Sequence, residues 1–473
     1  MNDLVISLDT SKDIPLYEQI YTYIKEDIKK GNLLCGQRLP SSRKLSMYLE
    51  VSRSTVELAY EQLVSEGYLE TIPCKGYYVA EIEELYQFTN AFESRENIPE
   101  EYALDDSKKV VQYLYDFSPN GIDLGSFPYN AWRKISKGVL SNEENKLFTL
   151  GDSRGEYEFR QTICQYLHQA RGMKCSPEQV VIGAGNEYLL MLLSTIMGQQ
   201  SKIAFENPTY ERAYQVFKNL SHQVFCVNMD KYGVRVDELN KLDVQMAYVM
   251  PSHQFPTGVV MPIKRRLELL KWAAEDKARY IIEDDYDSEF RYKGKPIPAL
   301  QGYDTNDKVI YLGTFSKAIA PAIRMSYMVL PRSLLRLYNE RCRFLSTTVS
   351  KIDQMIVNNF MQEGYYERHL NKARAMYKVR HDVLLQALKP ILSSGRCIVL
   401  GEHAGVHLLL EFQDGSKEVE LIRLAEQKQI RVYGMSRYYI EERRGTKATI
   451  LLGYANMSEE EIEVATAQLL QVW

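Results

Sequence analysis

Apolar and polar positions in the first fifty residues alternate with the period of an α-helix. Within residues 14–30, apolar residues recur at steps of four and predict an amphipathic helix that is closed by Gly31. These residues are Leu16, Ile20, Ile24 and Ile28. Pro40 and Ser41 are a helix-start signal, so we expect a second helix soon after the first.

A third helix and a pair of strands follow. Residues 51–67 keep the helical period, and Ser54 and Glu57 are spaced as a capping box at the start of this helix. Two short apolar segments flank Lys75 and Gly76 and predict a β-hairpin. Helix, turn, helix and hairpin in this order are the elements of a winged helix-turn-helix.

From about Tyr115 to Trp473, apolar strand runs alternate with amphipathic helices, which predicts an α/β domain with a mostly parallel sheet covered on both faces. Five apolar runs end abruptly in small or polar residues. The runs are Val180–Ile182, Ile203–Phe205, Tyr248–Met250, Tyr280–Ile282 and Val309–Leu312, the last of which we expect to turn at Gly313. Because the carboxyl ends of parallel strands line one crevice, these polar residues should converge on a ligand.

Length and charge divide the chain further. A chain of 473 residues needs more than one domain, and we place a DNA-reading domain at 1–80, an acidic linker at 81–113 with a net charge of −6, and the α/β domain at 114–473. Seven cysteines without a C-x-x-C pair indicate neither a disulfide framework nor a metal site. Without any run of eighteen apolar residues, we expect a cytoplasmic protein that does not enter membranes.

The residues at the strand ends suit one ligand in particular. A lysine amine forms a Schiff base with an aldehyde, an acid keeps a pyridine nitrogen protonated, and backbone N–H groups at a helix start bind a phosphate. Pyridoxal 5'-phosphate has an aldehyde, a pyridine nitrogen and a phosphate, so it needs all three kinds of partner. Taken singly, a strand-end lysine is more often a solvated charge and an acid cluster such as Glu283-Asp284-Asp285 is more often a capped turn, but their joint occurrence favours the cofactor.

Longer motifs carry a family resemblance. The stretches "IIEDDYDSEF", "PSHQFPTG", "GTFSK" and "YGMSRY" resemble the aminotransferase-like half of the MocR family of transcription regulators, and of its GabR-type members in particular. "LPSSRKLSMYLEVSRSTV" and "KGYYV" resemble the winged helix-turn-helix of GntR-type repressors. The resemblance implies a fold type I aminotransferase-like domain that binds pyridoxal phosphate behind a DNA reader.

The resemblance also assigns residues. It implies that Lys317 forms the internal aldimine with the cofactor, that Asp284 pairs with the pyridinium nitrogen, and that Tyr286 bonds the ring hydroxyl. The remaining cofactor positions are Tyr210 on the ring and Thr314, Ser316, Arg324, Gly185 and Asn186 at the phosphate. Arg437 matches the arginine that receives the effector's carboxylate, and Arg212 is a second candidate. We expect His253 to be structural.

Two departures argue against ordinary transaminase turnover. Aminotransferases of this fold usually have Asn-Pro where this chain has Phe255-Pro256, so an amide bond to the ring hydroxyl is missing. They also have an arginine where Leu452 precedes Gly453, which makes Arg437 more important as the carboxylate receptor.

The DNA-reading residues cluster although residues 1–80 have a net charge of −2. The expected contacts to bases or phosphates are Arg43, Lys44, Ser52, Arg53, Ser54 and Thr55, with Lys75 and Gly76 at the wing. A reader with so few basic residues should bind poorly alone, so we expect a homodimer, with domain swapping as in GabR-type proteins, on a double-stranded operator.

The sequence therefore predicts a regulator whose DNA binding switches when an amino-acid-like effector, of which GABA is one candidate, displaces Lys317 and forms an external aldimine. An active aminotransferase with an attached DNA-binding domain remains an alternative, and so does a DNA-binding scaffold whose cofactor fold is inactive. The effector, the operator and the sign of regulation are not encoded in these patterns.

Overall fold

The computed structural model describes residues 6–9, 11, 13–81, 113–141, 145–198, 200–292, 296–402, 404–441 and 447–473. The chain divides into two compact units, Met1–Val110 and Val111–Trp473. The predicted acidic linker spans residues 81–113, of which 82–112 lie outside the described residues. No described helix combines the length and the apolar character that a membrane span requires.

The N-terminal unit has the predicted order of elements. They are α1 (Leu16–Lys29), α2 (Ser42–Leu49), α3 (Arg53–Ser65), β1 (Leu69–Ile72) and β2 (Gly76–Val79), the two strands pairing antiparallel. Ser41 caps α2 as expected, since its side chain accepts a hydrogen bond from Lys44 N. The expected capping box on α3 was wrong: Ser52 is the N-cap, and Glu57 pairs with Arg53 instead.

The C-terminal unit starts with β3 (Tyr115–Asp116) and is built on one large sheet. Its strands are β4 (Val180–Gly183), β5 (Lys202–Asn207), β6 (Gln223–Asp230), β7 (Gly233–Val234), β8 (Met246–Val249), β9 (Tyr280–Asp285), β10 (Val309–Thr314) and β11 (Ser326–Val329). The strand order is β4-β11-β10-β9-β8-β5-β6-β7. Strands β10, β9, β8, β5 and β6 pair in parallel, while β11 runs antiparallel to both β10 and β4. The predicted mostly parallel sheet is confirmed.

Helices cover both faces of this sheet. Those of the unit are α4 (Tyr129–Ser141), α5 (Tyr157–Arg171), α6 (Asn186–Met197), α7 (Glu211–Asn219), α8 (Val236–Leu239), α9 (Ile263–Ala274), α10 (Arg332–Arg341), α11 (Lys351–Gln362), α12 (Tyr365–Ser393), α13 (Glu418–Gln427) and α14 (Glu459–Leu470). Successive residues of β9 face opposite sides, so Ile281 packs in the core that contains Trp272 and Ile282 in the core that contains Leu312.

A second, antiparallel sheet lies near the C-terminus. Its strands are β12 (Cys397–Leu400), β13 (His407–Phe412), β15 (Tyr433–Gly434) and β16 (Thr449–Gly453), in the order β12-β13-β16-β15. The short β14 (Ile430–Arg431) pairs in parallel with β3. Leu452, at the position where the resemblance implies an arginine in aminotransferases, is fully buried in β16.

The turn predicted at Gly313 is not found there, and this glycine has a different role. It lies inside β10 opposite Tyr327 of β11, and a Cβ atom at this position would come within 2.3 Å of the Tyr327 ring. Glycine is therefore required for strand packing, and the chain leaves the sheet only after Thr314.

Candidate functional site

The five strand ends predicted to converge do so around a cavity of about 120 Å³. Strands β4, β5, β8, β9 and β10 point the same way, so the residues that follow them meet at one edge of the sheet. The lining residues are Asn120, Gly185, Asn186, Glu187, Tyr210, Arg212, Met250, Phe255, Asp284, Tyr286, Thr314, Ser316, Lys317, Arg324 and Ser326. Every cofactor residue predicted from the sequence is among them.

Lys317 presents its amine to the cavity. Its Nζ atom donates a hydrogen bond to the carbonyl of Pro119 at 3.1 Å and lies 5.0 Å from the centre of the Tyr286 ring. Burial lowers the pKa of Lys317 below its ordinary value, although the charge of Asp287 works in the opposite direction. An amine that gives up its proton more readily is a better nucleophile toward an aldehyde.

Asp284 is buried at the end of β9, on the sheet face that carries the cavity. The hydroxyl of Tyr248 donates a short hydrogen bond to its carboxylate, and Asn186 Nδ2 lies 3.4 Å from Oδ1. Burial raises the pKa of Asp284 to about 7 although the hydrogen bond from Tyr248 opposes this. A cation placed against this carboxylate would lower that pKa and favour the ionised form.

Tyr286 belongs to a buried group that includes His253 and Asp287. Its hydroxyl lies 3.0 Å from Nδ1 of His253, and the same nitrogen lies 2.9 Å from Asp287 Oδ2. Burial works to raise the pKa of Asp287, but His253 and Lys317 outweigh it and lower the pKa below its usual value. His253, expected to be structural, thus fixes the phenol that faces the cavity.

Aromatic side chains form the wall beside Tyr286. The ring of Tyr210 meets Phe255 edge-on at 6.1 Å, and Phe255 in turn packs against Tyr286 and Tyr438. Burial raises the pKa of Tyr210 to about 12, so its hydroxyl stays protonated. Phe255 fills the place of an amide with an apolar ring and offers no hydrogen bond there.

The opposite end of the cavity suits an anion. Gly185, at φ +97°, precedes the first residue of α6, and a Cβ atom on it would lie 2.5 Å from Arg324 Nη2. Thr314 Oγ1 accepts from Ser316 N at 3.1 Å. Helix-start N–H groups, hydroxyls and a guanidinium are the groups that bind phosphate in proteins.

The two candidate effector arginines line different cavities. Arg212 lines the Lys317 cavity, whereas Arg437 lines a neighbouring cleft of about 1140 Å³. The two are linked through α7, because Arg437 Nη2 lies 3.4 Å from Glu211 Oε2 and Arg212 is the next residue. The backbone carbonyl of Tyr438, beside Arg437, accepts a hydrogen bond from Thr209 N.

Three features of the site were missed from the sequence. Tyr248 lay within an apolar run and gave no polar signal, yet it bonds Asp284. Arg171, at the end of α5, forms a buried ion pair with Asp285 at 2.6 Å, which no local pattern indicates. Glu187 pairs with two arginines of the cavity. Its position two residues after Gly185 was the available signal.

In the N-terminal unit, the predicted DNA-reading residues lie on α2, on the first turn of α3 and on the hairpin. Six are exposed and two are partly exposed; the exposed ones are Arg43, Lys44, Ser52, Arg53, Ser54 and Lys75, and the others are Thr55 and Gly76. Arg53 is partly engaged, because its Nε atom donates to Glu57 Oε1 at 2.8 Å.

Comparison with known proteins agrees with both units. The family described as aminotransferase class I and II matches residues 117–469, and the gntR family of bacterial regulatory proteins matches residues 16–79. The "Uncharacterized HTH-type transcriptional regulator YhdI" of Bacillus subtilis is 38% identical, over 100% of this chain and 98% of its own. The "Probable rhizopine catabolism regulatory protein MocR" of Rhizobium meliloti is 28% identical, over 96% and 92%. The chain belongs to the MocR family of transcription regulators.

A solved structure supports the fold of the larger unit. An archaeal alanine:glyoxylate aminotransferase superposes with a TM-score of 0.69 and 26% identity, over 78% of this chain and 92% of its own. MocR-family chains thus join a gntR-type reader to an aminotransferase fold whose enzymes depend on pyridoxal phosphate. The donor set of the cavity fits that cofactor, since it offers an amine, a buried acid and an anion site.

We expect Asp284→Asn to change how stability depends on pH. An aspartate in the unfolded chain titrates near pH 4, whereas burial raises the pKa of Asp284 to about 7. Between these values the native protein holds a proton that the unfolded chain has released, so this group's contribution to the free energy of unfolding falls as pH rises. Between pH 4 and 7, the free energy of unfolding of Asp284→Asn should therefore rise by about 2–4 kcal/mol relative to that of the wild type.

Urea unfolding of the cofactor-free protein at several pH values measures this difference. Asp276→Asn, at an exposed turn, is the control and should follow the wild-type curve. Parallel curves for the wild type and Asp284→Asn would contradict the assignment.

Proposed function

We propose that this protein is a pyridoxal-phosphate-dependent transcription regulator whose DNA binding changes when an amino-acid-like effector reacts at the Lys317 cavity. The observation that carries the proposal is the cavity itself, in which the Lys317 amine, the buried Asp284 and an anion site lie together in a chain with a gntR-type reader. The bound cofactor supplies an aldehyde carbon to which an amine can bond.

Each residue has a separate task. With the cofactor bound, the Lys317 amine would attach to the aldehyde carbon, Asp284 would hold the ring nitrogen, and Tyr286, positioned by His253, would hydrogen-bond to the ring hydroxyl. Tyr210 would cover the ring, while Arg324, Ser316 and their neighbours would bind the phosphate. The neighbours are Thr314, Gly185 and Asn186. These tasks follow the chemistry of each side chain and its place in the cavity.

The effector needs an amine and an anionic group. The cofactor would supply an aldehyde carbon that either the effector's amine or the Lys317 amine can bond, so a bound effector would leave Lys317 as a free amine. Arg212 and Arg437 are the candidate receptors for its carboxylate, and GABA has both groups. The ligand distinguishes two protein states only if it binds one more tightly, and a covalent exchange supplies such a difference.

Two side chains favour regulation over repeated turnover. Phe255 packs against Tyr286 without hydrogen-bonding to it, and Leu452 is buried in β16 where it cannot bind a carboxylate. Both groups therefore leave the reacting ligand with fewer polar contacts than a transaminase provides. Release of keto acid over many cycles with free effector would instead favour the enzyme alternative.

We expect Lys317→Ala to abolish both the visible absorption band of the bound cofactor and the effect of amines on operator binding. The reason is that Lys317 carries the lysine amine among the described residues that line the cavity, so its loss would remove the group that bonds the aldehyde. Operator binding is measured by fluorescence anisotropy on DNA selected from a random library with wild-type protein. Lys174→Ala, an exposed lysine of the same unit, is the matched control. An unchanged amine response in Lys317→Ala would refute the mechanism.

We expect Arg43→Ala and Lys44→Ala to weaken operator binding in a salt-dependent way. Each should reduce the slope of log affinity against log salt by about 1, because each removes one phosphate contact. Lys29→Ala is the control, because Lys29 lies near the end of α3 that is far from Arg53. One turn earlier on α1, Lys25 pairs with Glu66 at that end of α3. Equal slopes for all three variants and the wild type would exclude the assigned surface.

We also propose that a second copy of the chain covers an apolar patch on the C-terminal unit. Phe148, Leu150 and Phe344 are 78%, 89% and 80% exposed. Their segments adjoin, since Lys351 Nζ donates to the carbonyl of Lys146 at 3.0 Å. Large exposed apolar side chains on adjoining segments mark an interface.

Sedimentation velocity tests the dimer. The double change Phe148→Asp and Leu150→Asp should convert dimer to monomer at micromolar concentration, because burying two carboxylates opposes association. Leu267→Asp, on the exposed side of α9, should leave the dimer intact. A wild-type monomer, or a dimer that survives the double change, would be evidence against this interface.

A further inference from the structure

One carboxylate in the cavity has no place in the proposed function. Glu187 is the second residue of α6, and its side chain is 30% exposed. Its Oε2 atom accepts from Arg324 Nη2 at 3.0 Å, and its Oε1 atom accepts from Arg212 Nη1 at 3.4 Å. A single acid therefore holds both an arginine assigned to the phosphate and an arginine assigned to the effector.

This ion pair lies in the corner that suits an anion. A Cβ atom on Gly185 would lie 2.5 Å from Arg324 Nη2 and 3.3 Å from Glu187 Oε2. The backbone at the start of α6 thus touches both partners of the pair. A phosphate bound by the helix start and Arg324 would therefore lie close to the Glu187 carboxylate.

The charge of Glu187 opposes such a ligand. Burial works to raise the pKa of Glu187, but hydrogen bonds from the backbone and Arg324 hold it below its usual value, so the group is ionised at neutral pH. The other charged residues of the cavity are Arg212, Asp284, Lys317 and Arg324. Two negative groups that share one guanidinium repel each other at close range.

We propose that Glu187 is an internal competitor for the anion site. It pairs with Arg324 and Arg212 at once, and a phosphate that binds Arg324 competes with it for that guanidinium. Glu187 is thereby a specificity-determining residue that weakens the hold on the cofactor's phosphate without touching the aldehyde carbon. The inference rests on the proposed function, because it takes Arg324 as a phosphate contact.

Titration of the full-length, cofactor-free protein tests this. Pyridoxal 5'-phosphate and pyridoxal, which lacks the phosphate, are titrated into wild type and Glu187→Gln, and binding is followed by visible absorption. We expect Glu187→Gln to bind pyridoxal phosphate about three- to fivefold more tightly, the range of a partly exposed ion pair, and to bind pyridoxal as the wild type does.

Two further variants sharpen the test. Glu340→Gln removes an exposed carboxylate that faces Arg336 on α10, outside the cavity, and should leave both affinities unchanged. In an Arg324→Gln background, Glu187→Gln should no longer increase the affinity for pyridoxal phosphate, since the contested guanidinium is gone.

The outcomes separate this inference from the proposed function. Equal or weaker binding of pyridoxal phosphate by Glu187→Gln, with normal pyridoxal binding, would show that Glu187 positions Arg324 and would overturn the inference alone. An equal gain for both aldehydes would overturn it too, because the phosphate would not be involved. A wild-type protein that binds neither aldehyde would overturn the proposed function together with the inference.

Discussion

The parallel pairing of β10, β9, β8 and β5 is the constraint on which the site depends. In this register Leu312 lies opposite Asp284 and Val249 lies opposite Glu283, so four strands end at one edge and their following residues share a cavity. A shift of one residue in β9 would turn Asp284 to the other face of the sheet. The position of the acid relative to Lys317 is thus fixed by backbone hydrogen bonds.

Strand alternation also explains why only the middle acid of Glu283-Asp284-Asp285 faces the cavity. Glu283 and Asp285 project to the opposite face. There Glu283 accepts from the backbone N–H groups of Leu300 and Gln301, at 2.7 and 2.9 Å, and Asp285 pairs with Arg171. Asp284 has hydrogen bonds from Tyr248 and Asn186 instead. Its buried charge is therefore the one that a ligand's cation can stabilise.

Much of this arrangement could be predicted from local patterns. The helices of the N-terminal unit, the five converging strand ends and the cavity position of Lys317 follow from apolar periodicity and from the polarity of residues just past each strand. The remainder depends on contacts between residues far apart in the chain. Gly313 is explained by Tyr327 on the neighbouring strand, and Glu187 by Arg324 more than a hundred residues later. Ser52 caps α3 by a local hydrogen bond to Thr55 N. The sequence did not distinguish it from Ser54, which has the same hydroxyl two residues later.

The apolar wall of the cavity offers packing, and no polar contact, at the position of Phe255. Turnover requires contacts that strengthen only in the transition state, and a polar group at the Phe255 position would supply one. A switch requires instead that the bound ligand persist and that its affinity differ between two states of the protein. Phe255 joins Tyr210, Tyr286 and Tyr438 in one aromatic cluster, so it connects Tyr210 to the segment that carries Arg437. This packing connects the Lys317 cavity with the candidate carboxylate receptor, and under the proposed function it would take the place of a polar contact that assists turnover.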